Sequence, residues 1–163
     1  MKKNYFLIGL LFVASVSMTF SSCGIADKIE DEVNDAVGHI GYWNTESVIP
    51  INENTNITIE TTLGLDLATF ELLSNIQGGT TVSDITGALS VNNGELTLSP
   101  TVIGYQGENG LLTYVNKGDE NWAMALEEVE MAESVTAAYK VSGDEMTVTF
   151  EGEEPQVFTR QID

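Results

Sequence analysis

The stretch ALSVNNGELTLS, residues 88–99, decides the fold class of this chain. Leucine and valine alternate with polar residues on both sides of Asn92-Asn93-Gly94. Asparagine and glycine tolerate the positive φ angles that a tight hairpin turn requires. The stretch therefore predicts two antiparallel strands, each with one apolar face and one polar face.

The same alternation recurs along most of the chain after residue 40. It appears in NITIETTL (56–63), TVIGYQGENGLLTYV (101–115), AYKVSGDEMTVTF (138–150) and QVFTRQ (156–161). Turn-forming glycines interrupt the two longer stretches at their centres, which is typical of hairpins. The chain is thus predicted to be mainly β, with one antiparallel domain of about eight strands.

Three stretches depart from this alternation. Residues 25–37 carry an apolar residue at every fourth position, which predicts a short N-terminal helix. In DLATFELLSNIQGG (66–79) the apolar residues lie near helical spacing, with Asp66 as an N-cap and Gly78 as a stop, so a helix is predicted there. NWAMALEEVEMAES (121–134) fits both helix and strand patterns, so one or two additional helices are expected.

The first 22 residues have the order of a secretory signal peptide. Lys2 and Lys3 precede an apolar run that is too short to be a spanning helix and ends in small residues. The next residue, Cys23, is the only cysteine, so it has no disulfide partner within the chain. We expect three segments: a signal peptide (1–22), a cysteine with an acidic spacer helix (23–40) and a barrel domain (41–163).

The stretch Phe20-Ser21-Ser22-Cys23 resembles the lipobox of bacterial lipoproteins. The resemblance implies cleavage before Cys23, a diacylglyceryl group on its sulfur and an acylated amino terminus. Glycine rather than aspartate after the cysteine implies delivery to the outer membrane. The run DKIEDE (27–32) resembles the acidic tags of Bacteroidetes surface lipoproteins, and both the periplasmic and the surface orientation remain open.

The charge of the chain excludes one class of partner. Six basic and 25 acidic residues give a formal net charge of −19; without the two signal-peptide lysines, four basic and 25 acidic residues give −21. Such a surface repels nucleic acid and anionic lipid headgroups. Membrane contact is therefore expected through acyl chains on Cys23.

The segment Gly41-Tyr42-Trp43 resembles the Gly-x-Trp motif that opens the first strand of lipocalins. In that family an arginine near the last strand packs across the tryptophan at the closed end of the barrel. Arg160, the only arginine, lies in the last predicted strand, where it is expected to stack on Trp43. The second lipocalin motif, Thr-Asp-Tyr, is absent. The whole is similar to the small lipocalin-like lipoproteins of Bacteroidetes, and this resemblance implies that residues 41–163 form an antiparallel up-and-down β-barrel of about eight strands.

No catalytic residue, metal site or cofactor is predicted. His39 is the only histidine, no Gly-x-Ser-x-Gly elbow occurs, and we interpret His39 as a boundary residue before the first strand. NKGDEN (116–121) lacks the ligand spacing of an EF-hand loop and is interpreted as a turn.

The expected function is binding of a small apolar or amphipathic ligand without catalysis. Six large side chains are candidates to line the ligand cavity: Tyr105, Tyr114, Trp122, Met124, Tyr139 and Met146. In a small barrel the same positions can instead fill the core. The alternative is therefore a structural lipoprotein with a solid barrel that binds a protein partner of the cell envelope.

Overall fold

The computed structural model describes residues 38–52, 55–107 and 109–161. The predicted signal peptide, Cys23 and the spacer helix over 25–37 lie outside the described residues.

The described chain is almost entirely β-structure. Its strands are β1 (Gly41–Asn52), β2 (Thr55–Leu65), β3 (Thr69–Ile76), β4 (Thr80–Asn92), β5 (Glu95–Gln106), β6 (Leu112–Asn116), β7 (Val135–Ser142), β8 (Glu145–Phe150) and β9 (Gln156–Arg160). One short helix, α1 (Trp122–Glu128), lies between β6 and β7. NWAMALEEVEMAES, which fits both patterns, thus forms a helix in its first half.

The strands form a closed antiparallel barrel. From β1 to β5 each strand pairs with the next, β5 then pairs with β7, and β9 returns to β1. This ring has eight strands, which confirms the predicted mainly β, up-and-down barrel and is consistent with a lipocalin-like barrel. The hairpin predicted from residues 88–99 is present, with Asn92 opposite Glu95.

The ninth strand, β6, arises because one barrel strand is interrupted. Both β6 and β7 pair antiparallel with the same strand, β5: β6 faces Val102–Gln106 and β7 faces Glu95–Leu98. Pro100 lies between these two stretches and has no N–H for a ladder bond. The chain leaves the wall there, forms α1, and returns to the wall as β7.

The prediction of a helix over 66–79 is wrong, because this stretch forms a turn followed by β3. The Asp66 N–H donates to the Thr69 carbonyl at 2.9 Å, which closes a tight turn. β3 then pairs along its length with β2 and β4, burying Phe70 and leaving Leu73 on the outer face. Ladder bonds on both sides and burial outweigh the modest helix preference of such a segment.

The barrel interior contains one hydrophobic core to which α1 contributes. Trp43, Ile103 and Met146 are 0% exposed. On α1, Ala125 and Leu126 are buried in the same core. Much of the barrel interior is therefore filled by side chains, as expected for an eight-stranded ring.

Candidate functional site

Trp43 and Arg160 close one end of the barrel. They are directly paired residues of β1 and β9, and the Arg160 guanidinium carbon lies 4.2 Å from the centroid of the Trp43 ring. Arg160 Nη1 donates to the Ile40 carbonyl at 3.0 Å, and Nη2 donates to the Gly38 carbonyl at 2.7 Å. Cation–π attraction and two charge-assisted hydrogen bonds therefore join the start of the barrel to its last strand.

Gly41 is the residue that permits this arrangement. Its φ is +134°, a conformation that residues with a side chain rarely adopt. A Cβ at this position would also lie 3.0 Å from Arg160 Nη1. The glycine of the Gly-x-Trp motif thus has two physical roles here, since it supplies the backbone turn and leaves room for the guanidinium.

His39 is part of the same closed end. It is 3% exposed, and its carbonyl accepts a 2.8 Å hydrogen bond from Trp43 Nε1. Its ring meets the Tyr139 ring edge-on, with centroids 5.7 Å apart. His39 therefore packs as a boundary residue between the preceding chain and β1.

An apolar pocket lies inside the barrel, one inward position further from this end. Thr45 and Phe158, which line it, are two residues from Trp43 and Arg160 along their strands. Apolar side chains from several strands form most of its wall: Leu63, Leu72, Leu96, Leu98, Ala137 and Val148. The pocket is thus part of the barrel interior and lies next to the layer of side chains that forms the closed end.

The pocket is small and partly open to solvent, and its lining extends to the β8–β9 turn at the end of the barrel remote from Trp43 and Arg160. Its cavity volume is about 30 Å³, within about 510 Å³ of empty space that includes the solvent-open mouth. Phe150 and Gln156, which flank the β8–β9 turn, line it, whereas β1 continues past Thr45 to Asn52. The rim of the pocket mouth is therefore low beside β8 and β9, where the strands end close to the pocket, and high beside β1 and β2, which continue beyond it.

None of the six predicted ligand-lining side chains lines this pocket. Met146, Tyr139 and Trp122 are buried in the core, and Tyr105 is partly buried against it. Tyr114 and Met124 are 54% and 46% exposed. The structure therefore does not bring the six together around one cavity.

Tyr114 lies on the outer wall of the barrel because the next residue of β6, Val115, takes the inward position. It is paired with Gly104, and a Cβ on that glycine would lie 2.7 Å from the Tyr114 ring. The Tyr114 hydroxyl reaches across to donate a 2.9 Å hydrogen bond to Asp84 Oδ2, on the next strand. This hydrogen bond, with smaller contributions from burial and the Asp84 charge, raises the pKa of Tyr114 above 10.0.

Tyr42 repeats this arrangement on the opposite wall. It is paired with Gly64, and a Cβ there would lie 2.8 Å from the Tyr42 ring. An aromatic ring that covers a strand glycine shields backbone that the missing side chain would otherwise expose. Both exposed tyrosines are therefore explained as cover for the barrel wall.

The sequence pattern indicates that the pocket residues face inward, but it does not distinguish them from the other inward residues. Leu63, Leu96 and Leu98 stand on the apolar faces of stretches that were predicted as strands. Alternation identifies inward positions, but it does not tell which of them leave space between opposite walls. That distinction needs the barrel radius and the position of α1.

The described residues were compared with the requirements of two other features, a metal site and a membrane-spanning helix, and meet neither. In residues 38–52, 55–107 and 109–161, histidine, cysteine and carboxylate side chains form no group of three or more that could hold a metal ion. None of the helical structure in these ranges is long and apolar enough to cross a membrane. The turn interpretation of 116–121 agrees with a 2.9 Å hydrogen bond from the Asn116 N–H to Asp119 Oδ2.

Only the fold and the geometry of the pocket bear on the function of the chain, because two comparisons with known proteins gave no match. A comparison with protein-family models gave no match, and neither did a comparison with curated proteins. What the structure establishes is an eight-stranded antiparallel barrel, compatible with a lipocalin-like ligand-binding domain.

Proposed function

We propose that this protein is a lipoprotein of the outer membrane whose lipocalin-like barrel binds a small apolar or amphipathic ligand without catalysis. The observation that carries the proposal is the partly open apolar pocket inside the barrel, one inward position away from the end that Trp43 and Arg160 close. Concave, mostly apolar sites with few polar groups are the usual form of small-molecule sites.

The pocket volume limits what the ligand can be. Sites for drug-sized ligands measure roughly 300–1,000 Å³, whereas the cavity here is about 30 Å³. A ligand therefore inserts only a narrow apolar end, and the rest of it lies in the open mouth above Thr45 and Phe150. Burial of that end would contribute about 0.8 kcal/mol for each methylene group.

Ala137 and Ala138 offer a matched pair of variants for the test. Ala137 is buried and lines the pocket, whereas its neighbour Ala138 is exposed on the outer face. We expect Ala137→Leu to fill the cavity and abolish binding, and Ala138→Leu to leave binding unchanged. Native mass spectrometry of the full chain released from host membranes measures whether a ligand copurifies.

Copurification of the same ligand with both variants would place binding outside the pocket. Copurification with neither variant nor the unaltered chain would contradict ligand binding as the function. A circular dichroism melt of each variant shows whether the added side chain is tolerated.

The anchor is proposed from the lipobox resemblance at Phe20-Ser21-Ser22-Cys23. Two or three acyl chains on Cys23 would hold the protein firmly at a membrane. We expect Cys23→Ala to release the protein from membranes or to leave it unprocessed, as measured by membrane fractionation and intact mass. A Cys23→Ala chain that is cleaved normally and stays membrane-bound would contradict the anchor.

The small cavity favours a second candidate function. The hydrophobic core also includes Trp43, Met146 and the buried α1 side chains and leaves little empty space, so the barrel also suits a solid scaffold that binds an envelope protein. Crosslinking in intact cells would then trap one specific protein. Loss of that crosslink in Ala137→Leu would show that partner binding depends on the pocket, because a partner on the outer surface would still bind after the pocket is filled.

A further inference from the structure

A layer of hydroxyl groups crosses four neighbouring strands inside the barrel. Thr45, Thr61, Ser74 and Ser83 are successive cross-strand partners on β1 to β4. Directly paired residues share a face of the sheet, and Thr61 is buried at 7% exposure, so this face is the inner one. Thr45 and Thr61 also line the pocket.

Apolar residues lie on both sides of this layer. Toward the closed end, the next inward partners on β2 and β3 are Leu63 and Leu72, which form the pocket wall. Toward the mouth, the next inward partners are Ile59 and Ile76, which are half-buried. A ligand group at the hydroxyl layer would therefore have apolar surface above and below it.

The hydroxyl layer has hydrogen-bonding capacity to spare. Thr61 Oγ1 and Ser74 Oγ lie 3.3 Å apart, and either oxygen can be the donor. Two hydroxyls carry two hydrogens, and their mutual bond uses only one. The remaining hydrogen and several lone pairs are suited to one neutral hydrogen-bonding group of a ligand.

Nothing in the described interior would balance a negative charge at this level. Among the described residues the basic side chains are Lys117, Lys140, Arg160 and His39, and His39 packs against Tyr139 at the closed end and does not line the pocket. Lys117 and Lys140 are exposed, and Arg160 donates to backbone carbonyls at the closed end. Three glutamates lie in the β8–β9 turn, beside the low rim of the pocket: Glu151, Glu153 and Glu154.

We propose that the pocket selects uncharged ligands: a molecule with a narrow apolar end and one neutral hydrogen-bonding group, such as a hydroxyl or ester, held by Thr61 and Ser74. Carboxylate-bearing ligands such as fatty acids are excluded, because an unpaired carboxylate between apolar layers loses its hydration without gaining a cation. This inference rests on the proposed ligand-binding function and specifies the ligand class.

The test compares two matched probes, hexan-1-ol and hexanoate, at about pH 8, where the carboxylate is ionised. Titration of the full chain carrying Cys23→Ala is followed by NMR chemical shifts of Thr61, Leu98 and Val148. We expect hexan-1-ol to bind at least about tenfold more tightly than hexanoate, since a buried unpaired charge costs more than a buried hydroxyl. Equal or tighter binding of hexanoate would overturn the inference and leave ligand binding intact. Absence of binding by both probes would overturn the inference together with the proposed function.

Neighbouring threonines of β2 provide a matched pair of variants. Thr61 faces the pocket, and Thr62 is on the outer face, where it donates to Asn44 Oδ1 at 2.8 Å. We expect Thr61→Val to weaken hexan-1-ol binding about threefold to tenfold, the usual range for one lost neutral hydrogen bond. Thr62→Val should leave it unchanged.

The ratio of the hexan-1-ol affinity to the affinity for hexane, which has no hydrogen-bonding group, separates a hydrogen bond from a structural effect. A merely structural role of Thr61 would weaken hexan-1-ol and hexane in proportion, so the ratio would stay constant. A ratio that falls in Thr61→Val alone supports the inference, and a constant ratio overturns it.

Discussion

At the residue scale, Arg160 couples the two ends of the described chain. Its guanidinium lies on Trp43 and binds the carbonyls of Gly38 and Ile40, which precede the first strand. The β1–β9 ladder itself has only two residue pairs, Trp43–Arg160 and Asn44–Thr159. The ladder between β1 and β9 provides few backbone hydrogen bonds, so the side-chain contacts of Arg160 add to the closure of the barrel there.

Substitution of Gly41 tests this closure. We expect Gly41→Ala to lower the free energy of unfolding by about 1–3 kcal/mol, because a side chain at φ +134° is strained and meets Arg160 Nη1. Gly78→Ala is the matched control, since Gly78 has a φ of +109° with no atom within 4 Å of an added Cβ. Urea denaturation measures both, and an equal loss in the two variants would show that the Arg160 contact contributes nothing.

The Tyr114–Asp84 hydrogen bond leads to a prediction about alkaline pH. Since this bond raises the folded-state pKa of Tyr114 above 10.0, its contribution is fully present below pH 10.0 and is lost as the pH rises through the folded pKa. We expect Asp84→Asn to move the Tyr114 titration to lower pH. Ultraviolet titration, with Tyr114→Phe identifying the Tyr114 step, measures the shift; an unmoved step would contradict the assigned cause.

At the element scale, the interrupted strand gives the barrel its helix. β6 and β7 share β5 as a partner, and the chain between them carries α1, which packs against β5 and β6. Because β6 ends at Asn116 and β7 begins at Val135, the wall beside Pro100 is incomplete. Helix α1 supplies apolar side chains to the core next to this break.

Two substitutions on α1 distinguish its buried face from its exposed face. We expect Leu126→Ala to lower the free energy of unfolding by about 2–4 kcal/mol, because it removes core contacts and leaves a cavity. Met124→Ala, on the exposed face, should change it by less than about 0.5 kcal/mol. Thermal or urea denaturation measures the two, and similar losses would contradict the described orientation of α1.

At the scale of the whole molecule, the negative charge opposes the compact state. The chain has a formal net charge of −19, and Glu46 and Glu60 are direct cross-strand partners on the outer face. Like charges in that position repel. The fold is therefore expected to depend on ionic strength, because salt screens repulsion between exposed charges.

We expect the free energy of unfolding to rise by on the order of 1 kcal/mol between about 10 mM and about 200 mM sodium chloride. Urea denaturation at the two salt concentrations measures the rise. Glu46→Gln should show a smaller rise, since it removes one partner of the Glu46–Glu60 pair. A free energy that falls with salt would show that favourable ion pairs outweigh the repulsion.

The sequence by itself determined the period-2 alternation, and with it the hairpin at residues 88–99 and a mainly β domain of about eight strands. These features depend on local patterns, since alternation and turn residues act within a few positions of each other. It also predicted Gly41, Trp43 and Arg160 as neighbours, through a family resemblance that joins residues far apart in the chain.

Only the tertiary structure decided the features that depend on partners from distant strands. Residues 66–79 have near-helical spacing but became a turn and β3, because β2 and β4 offered ladder bonds on both edges. The register of β6 on β5 turns Val115 inward and Tyr114 outward, where Gly104 leaves room for the tyrosine ring. The pocket beside Thr61 exists because opposite walls leave a gap there, and the size of a gap depends on every strand around the barrel.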